Sequence, residues 1–455
     1  MPAGNLKKVL IISRHGERER LVKYAHLLGE SSDPPLSLGG LHDMAVLGEA
    51  MRSRYFEPDC TAGGTCLGSQ EELMYSVRAE SSGLARTLGS AEALMHTLYP
   101  DSIREAAAGL TLPTPVYSRR DGEDTVLRAY TKCPAHSARI AGWYDSDEFV
   151  QKDATSEELR RAVHEALTRL LPAEDLPVSL VDGATPLRDW WNAFDALDVA
   201  LNANATAAAS FGSLLSRAAE LAAWTESNKF GSALASNTCG SALLREVSAS
   251  LASLSGPKLQ YYSAHYPTML CALTALGLSS DSGDTADAWL ATNLLPTGSA
   301  LAFEVDGSDE VGLWLFHADT ALGAGAGGPP MGWSRLPQNC PPKSSARVET
   351  CPLGDFSSSV SARLLPSDAA WCRACENTSL DKCRAAAAEG LVPAEGAAAL
   401  CVVLSLLIVL IGFGCTWCYH KRAAGRARAS PIVTEIGVRA FAGPGKDAES
   451  GARHV

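Results

Sequence analysis

Two guanidinium groups and an imidazole lie close together at Arg14, His15 and Arg18, directly after a short apolar segment. A phosphate monoester dianion is bound by several fixed cations, and imidazole can accept a phosphoryl group and then release it to water. Residues 6–13 read LKKVLIIS, a pattern typical of a strand buried on both faces of a parallel sheet. Ligands bind at the carboxyl ends of such strands, so the segment predicts a phosphate site, with a solvated loop as the alternative.

The segment Arg14-His15-Gly16-Glu17-Arg18 resembles the Arg-His-Gly-x-Arg-x-Pro signature of histidine acid phosphatases, with Arg20 in place of the proline. Further blocks resemble the same family in the same order, which is more specific than any single motif. The resemblance covers about residues 6–356 and is weakest in a predicted helical insertion. The blocks are Pro35-Leu-Ser-Leu-Gly39, Arg86-Thr-Leu-Gly-Ser-Ala91, Pro113-Thr-Pro-Val116, Cys133-Pro134, Ser263-Ala-His265, Leu336-Pro-Gln-Asn-Cys340 and Cys351-Pro-Leu-Gly-Asp-Phe356.

The resemblance implies an acid phosphatase that works through a phosphohistidine on His15, without a metal or other cofactor. It also implies that Arg14, Arg18 and Arg86 bind the phosphate and that His265 donates a hydrogen bond to it. A surface arginine on the first turn of a helix is the alternative for Arg86. The expected partners are small phosphomonoesters and a second copy of the chain in a homodimer.

One position departs from the family in a way that bears on catalysis. After the histidine that corresponds to His265 the family has Asp, or a nearby Glu in its phytase-like branch, whereas this chain has Tyr266. Tyrosine, with a reference pKa of about 10, is a weaker acid than a carboxyl group, although it is protonated at acidic pH. Three alternatives are open. Tyr266 donates the proton, or a carboxyl group such as that of Glu17 donates it instead, or the protein is a phosphate-binding, receptor-like membrane protein with little turnover.

Strand and helix patterns alternate along most of the chain, which indicates an α/β fold. The resemblance implies a three-layer, mainly parallel sheet like that of phosphoglycerate mutase, built from residues 1–134 and 256–370. Residues 135–255 carry Ala-rich and Leu-rich helical patterns and are expected to form an inserted all-helical lid. Strands are predicted at 6–13, 73–77, 258–263, 300–305 and 311–316, and helices at 41–55, 87–98, 156–171, 189–200 and 205–224.

Residues 396–419 contain no charged side chain and are numerous enough to cross a bilayer as one helix. Basic residues follow this segment, so the positive-inside rule places residues 420–455, expected to be a disordered tail, in the cytoplasm. The pattern predicts a single-pass type I membrane protein with a lumenal or extracellular catalytic domain. Residues 1–8 are too short for a signal peptide, so a segment upstream of them is expected to be missing. The alternative is a tail-anchored protein facing the cytosol, which the absent signal favours and the sequons and cysteines oppose.

Cysteine usage favours an oxidising compartment. Of the 13 cysteines, ten precede residue 396, as do the glycosylation sequons at Asn204 and Asn377. The histidines lack ligand-like spacing with cysteines or carboxylates, so no metal site is predicted. The cysteines of an expected stalk, 371–395, are better explained by disulfides. Cys340 with Cys351 resembles a bridge of the family, and Cys133 is expected to reach the Cys372 region.

The formal net charge of −12 is spread along the chain, and no basic stripe or cluster stands out. Because nucleic-acid binding requires concentrated positive charge, this distribution excludes nucleic acid as a partner.

Overall fold

The computed structural model describes residues 6–18, 33–56, 60, 66–69, 72–73, 75–99, 114–171, 185–202, 205–231, 238–253, 255–278, 295–318, 331–340, 347–391, 408–418 and 421. The chain divides into two compact units, Met1–Ala387 and Ala388–Val455. The first unit holds all the strands described below, and the second is considered on its own.

A mixed eight-stranded sheet forms the centre of the first unit. Its strands are β1 (Lys8–Arg14), β2 (Val77–Ser81), β3 (Val116–Ser118), β4 (Leu259–Ala264), β5 (Ala300–Val305), β6 (Glu310–His317), β7 (Gly332–Leu336) and β8 (Thr350–Pro352). The order is β3-β2-β4-β1-β5-β6-β7, and β8 pairs with β6.

The expectation of a mainly parallel sheet is wrong. Strands β1 to β4 pair in parallel, whereas β5 runs antiparallel to β1 and β6 runs antiparallel to β5, β7 and β8. The short Asp306–Glu310 turn accounts for part of this, because a tight turn can join only antiparallel strands.

Strand β1 is central and buried on both faces, as its sequence predicts. Leu10 and Ile12 contribute to one apolar cluster, while Val9 and Ile11 contribute to another, and all four side chains are fully buried. The strand predicted at 73–77 is wrong, because β2 begins only at Val77 and continues through charged residues. Its glutamate, Glu80, is nine-tenths buried and accepts a hydrogen bond from Arg78 at 2.8 Å.

Helices cover both faces of the sheet and also form a separate layer. They are α1 (Leu38–Tyr55), α2 (Ala85–Leu98), α3 (Pro134–Tyr144), α4 (Asp147–Thr155), α5 (Glu157–Leu170), α6 (Trp190–Asn202), α7 (Ala205–Phe230), α8 (Ser241–Ala252), α9 (Tyr266–Ala275), α10 (Leu353–Ser361), α11 (Asp368–Ala374) and α12 (Asp381–Leu391). Helices α1 and α2 pack on the Val9 face, and α8, α9 and α10 pack on the Leu10 face.

Helices α3 to α7 have an apolar core of their own. Trp190 is fully buried at its centre, and Trp143 and Trp224 lie at its edge with ring centroids 5.4 Å apart. Helix α8 also falls in the interval 135–255, yet its Leu243 and Leu244 pack in the core of the sheet.

Five disulfides join the ten cysteines that precede residue 396: Cys60–Cys66, Cys133–Cys375, Cys239–Cys271, Cys340–Cys351 and Cys372–Cys383. The Cys340–Cys351 bridge and the link from Cys133 to the Cys372 region are confirmed. In the segment expected to be a stalk, Trp371 is fully buried and its indole nitrogen donates to the Thr238 carbonyl at 2.6 Å. Residues 371–383 are therefore part of the first unit, where Trp371 and Cys383 lie in one apolar cluster.

In the second unit, residues 408–418 are helical and exposed. Of the predicted membrane span, residues 396–407 and 419 lie outside the described part of the chain, as does almost all of the predicted tail, 420–455. Within the described residues, no helix combines the length and apolar character needed to cross a bilayer.

Helices α1 and α2 approach each other most closely at Gly48, which provides a test of the core. A Cβ atom at Gly48 would overlap Thr97 Oγ1 and lie 2.7 Å from the Leu94 carbonyl oxygen. We expect Gly48→Ala to lower the free energy of unfolding by about 1–3 kcal/mol, because the helices must separate. Thermal and urea unfolding measure this change.

Gly142 in α3 is the matched control, since it is exposed and a Cβ there would meet nothing within 4 Å. Gly142→Ala should leave stability unchanged or raise it by up to about 1 kcal/mol through helix propensity. Equal destabilisation by both variants would contradict the helix contact.

Candidate active site

The sheet brings the two predicted histidines together. Strands β1 and β4 are parallel neighbours with Arg14 opposite Ala264, so the residues that follow each strand meet at one edge of the sheet. The backbone N–H of His15 donates to the Ala264 carbonyl at 3.0 Å. The centroids of the His15 and His265 rings are 5.4 Å apart, and the rings are edge to face. Both side chains are buried, as expected of groups that react away from bulk water.

The His15 ring is held in a form suited to nucleophilic attack. Its Nδ1 lies 2.7 Å from the Gly16 carbonyl oxygen, so Nδ1 carries the proton and Nε2 has the lone pair. Burial, and then His265 and Arg86, lower the pKa of His15 well below its ordinary value, which keeps the ring neutral at acidic pH. Gly16 permits this loop, because a Cβ there would overlap the Gly40 carbonyl oxygen.

His265 precedes α9 and is fixed from the neighbouring strand. Its Nε2 lies 2.9 Å from the Ser82 hydroxyl, just beyond β2, and that hydroxyl is 2.8 Å from the Thr87 hydroxyl. Burial, and then Arg86 and Arg128, lower the pKa of His265 well below its ordinary value. A bound dianion would offset these cations, so the site is arranged for an anionic ligand.

Three predicted arginines converge on this edge. Arg14 Nη1 donates to the Leu295 carbonyl at 2.5 Å, and Arg86 Nη1 contacts Asp33 at 2.9 Å. In both arginines Nε is buried and has no hydrogen-bond partner among the described residues, and burial lowers both pKa values. Arg18 contacts Asp195 at 2.7 Å. Buried donors without acceptors are costly, so Arg14 and Arg86 are well suited to bind phosphate oxygens.

The Tyr266 hydroxyl group is turned towards the helical layer. It donates to Glu226 at 2.5 Å, and Glu226 also accepts from Lys229 at 2.8 Å. Burial, and then Glu226, raise the pKa of Tyr266 well above 10. The ring contacts Trp191 with centroids 4.4 Å apart. The Tyr266 proton is thus bound to a carboxylate inside the protein.

Glu17, the alternative proton donor considered from the sequence, is held as an acceptor. Its two carboxylate oxygens accept hydrogen bonds from the Ser37 hydroxyl at 2.9 Å and from the Asn202 amide at 3.0 Å. Its backbone N–H donates to Asp43 at 2.9 Å. These contacts position the loop between β1 and α1.

The structure adds residues that sequence reasoning did not identify. Arg128 lies close enough to act on the pKa of His265, and its Nε is also buried without a partner among the described residues. The negative charges of Asp195 and Asp198 in α6 counteract the lowering of the Arg14 pKa by burial. Glu226 accepts a hydrogen bond from the Tyr266 hydroxyl. A sequence signal existed only for α6, where polar residues recur every three or four positions, but such a pattern usually marks a solvated face.

Comparison with known proteins agrees with the α/β architecture. No family model matches the sequence. Human testicular acid phosphatase is 27% identical over 206 residues, which span 43% of this chain and 44% of that protein, so the match covers less than half of the relative. The Hafnia alvei phytase in complex with tartrate has a TM-score of 0.52 at 17% identity and covers 81% of this chain and 99% of its own. The Citrobacter braakii phytase has a TM-score of 0.51 at 14% identity, with coverage of 80% and 98%. The chain therefore has the fold of these phytases and a sequence similar to an acid phosphatase.

Proposed function

We propose that this protein is an acid phosphatase that hydrolyses phosphomonoesters through a phosphohistidine on His15. The observation that carries the proposal is a neutral, buried imidazole next to His265 and surrounded by guanidinium groups whose Nε atoms lack partners among the described residues. The similarity to testicular acid phosphatase and the shared fold with phytases support the reaction class.

In the proposed mechanism, the Nε2 lone pair of His15 attacks phosphorus, the bond from phosphorus to the ester oxygen breaks, and that oxygen takes a proton from an acidic group of the pocket and leaves as the alcohol. The Gly16 carbonyl holds the Nδ1 proton of His15 throughout. Arg14, Arg86 and His265 surround the phosphoryl oxygens and stabilise the charge of the transition state. Water then attacks the phosphohistidine and restores the imidazole. The guanidinium groups supply the positive charge that a metal ion provides in other phosphatases, so the proposed reaction needs no metal.

A phosphate-binding, receptor-like protein with little turnover is the second candidate. The hydrogen bond from Tyr266 to Glu226 favours it, because the residue in the usual place of the proton donor directs its proton away from the phosphate. Such a protein would bind inorganic phosphate with the same arginines and hydrolyse p-nitrophenyl phosphate hardly at all.

Replacement of the proposed nucleophile tests the mechanism directly. We expect His15→Ala to abolish phosphate release from p-nitrophenyl phosphate at acidic pH and to prevent labelling of the protein by a ³²P-phosphomonoester in rapid acid-free quenching. His164→Ala, at a half-buried position in α5, is the control and should retain both signals. Turnover that survives in His15→Ala rules out the phosphohistidine, and a wild type that binds phosphate without turnover favours the second candidate.

The pH dependence of kcat/KM reports the state of His15 in the free enzyme. Since the pKa of His15 is lowered, the acidic limb should lie well below its ordinary value of 6.5. Removal of a neighbouring cation in Arg86→Gln should stabilise the imidazolium, raise the pKa of His15 and move this limb to higher pH. KM should also rise.

Arg169→Gln is the control for this profile, because Arg169 is exposed on α5 and paired with Glu165 at 3.4 Å. Its pH profile should match the wild type. An acidic limb that stays in place in Arg86→Gln would contradict the electrostatic role of Arg86.

We also propose that the chain is a single-pass membrane protein with its phosphatase unit in the lumen or outside the cell. The uncharged segment 396–419 and the basic residues after it support this arrangement, as do the five disulfides. Asn377 is unsuited to glycosylation in the folded protein, since it is buried and its amide donates to the Lys132 carbonyl at 2.6 Å. Asn204 lies outside the described residues.

Protease protection in sealed vesicles from cells that express the full chain tests this topology. With the tail in the cytoplasm, protease added outside should remove residues 420–455 and leave the phosphatase unit intact until detergent is added. Digestion of the phosphatase unit before detergent would place it in the cytosol and contradict the proposal.

A further inference from the structure

Polar residues recur at helical spacing along one side of α6. Trp191, Asp195, Asp198 and Asn202 are spaced by four, three and four residues, so their side chains project from the same side of the helix. This side of α6 is called the α6 face below.

Contacts at both ends place the α6 face against the candidate active site. Trp191 stacks on Tyr266 with centroids 4.4 Å apart. Asp195 binds Arg18 at 2.7 Å, and Asn202 donates to Glu17 at 3.0 Å. Since these contacts reach the His15 loop and the residue after His265, the α6 face borders the candidate active site.

Asp198 lies between the residues that make these contacts. None of the hydrogen bonds between described residues involves its carboxyl group. The charged groups that act on it are Asp195 on its own helix, Arg14 at the end of β1, Glu17 in the following loop and Asp43 of α1. Burial, and then Asp195, raise the pKa of Asp198 to about 7, so the carboxyl is protonated at acidic pH.

Three other acidic groups at the pocket are already engaged. The Tyr266 hydroxyl donates to Glu226, and Glu17 accepts on both oxygens. Asp195 is ion-paired with Arg18 at 2.7 Å. Asp198 is therefore the carboxyl on the α6 face that combines a place near Arg14 with a proton to give.

We propose that Asp198 is the general acid that protonates the leaving alcohol, in place of the acidic residue that Tyr266 replaces. This inference rests on the proposed phosphatase function. As His15 Nε2 forms its bond to phosphorus, the bond from phosphorus to the ester oxygen breaks, and that oxygen takes the proton of Asp198. The Asp198 carboxylate then removes a proton from the water that attacks the phosphohistidine, which yields phosphate and restores both residues.

The dependence of rate on the leaving group tests this role. An alkoxide needs a proton to leave, whereas p-nitrophenolate leaves readily without one. We expect Asp198→Asn to lower kcat/KM for β-glycerophosphate by about 10²- to 10⁴-fold and to affect p-nitrophenyl phosphate far less. The alkaline limb of the wild-type profile for β-glycerophosphate, with an apparent pKa of about 7, should disappear in the variant.

Three further variants separate this role from a structural one. Asp198→Glu keeps the acid and should recover part of the β-glycerophosphate activity. In both Asp195→Asn and Tyr266→Phe, the ratio of kcat/KM for β-glycerophosphate to kcat/KM for p-nitrophenyl phosphate should equal that of the wild type. Asp195→Asn should change KM, because Asp195 is paired with Arg18. Melting curves show that each variant is folded.

If Asp198→Asn leaves this ratio of kcat/KM values unchanged, whether or not both values fall, the role of Asp198 is overturned while the phosphatase function stays intact. A fall in this ratio in Tyr266→Phe would identify Tyr266 as the proton donor and would also overturn the role of Asp198. A wild type that hydrolyses neither substrate would refute the phosphatase function itself, and the role of Asp198 with it.

Discussion

Positive charge buried at the carboxyl ends of β1 and β4 is the constraint on which the site depends. Arg14, Arg86 and Arg128 each have an Nε atom that is buried without a partner among the described residues, and two imidazoles lie among them. Removing a cation from water costs several kcal/mol for each ion, and the ion pairs of Arg86 with Asp33 and of Arg128 with Asp121 offset this cost only in part. Burial keeps the imidazoles neutral, and this excess of positive charge adds to the effect. The Leu295 carbonyl, Asp33 and Asp121 compensate only part of the excess. The phosphate dianion of the proposed substrate would supply the negative charge that the protein lacks here.

The position of Tyr266 shows how the helical layer is attached to the sheet. Tyr266 begins α9 directly after β4, yet its hydroxyl binds Glu226 of α7 and its ring lies on Trp191 of α6. Lys229 completes the group through its ion pair with Glu226. A single aromatic residue thus links the end of a central strand to two helices of the other layer. In this arrangement Tyr266 fixes the wall of the pocket, which agrees with the proposal that a neighbouring carboxyl is the acid.

The sequence predicted those features that depend on local patterns. The apolar run of β1 and the turn between β5 and β6 have short-range signals, and the structure contains both. Strand β2 was misplaced because it contains Arg78 and Glu80, whose ion pair makes a charged segment compatible with a sheet. Parallel and antiparallel pairing could not be predicted from any one strand, because pairing depends on partners that are distant in the sequence.

The acidic face of α6 was also beyond sequence reasoning, for a related reason. Carboxylates at helical spacing normally face water, and only the tertiary structure shows Asp195 opposite Arg18. Arg128 gave no signal, because it precedes a short 3₁₀ turn, Ala129–Thr131, that has no periodic pattern. The candidate site was therefore predicted where it follows the strands and missed where a separate layer of helices covers it.

The place of β1 in the sheet has a consequence for synthesis of the chain. Strand β1 leaves the ribosome before both of its neighbours, since it pairs with β4 on one side and β5 on the other, and these span Leu259–Ala264 and Ala300–Val305. A nascent chain that ends before β4 holds the His15 loop with neither neighbour, and its apolar strand has no partner to cover it. Such long-range pairing slows folding and exposes apolar segments to aggregation. Both sides of the candidate site can form only after the chain has been made as far as β5.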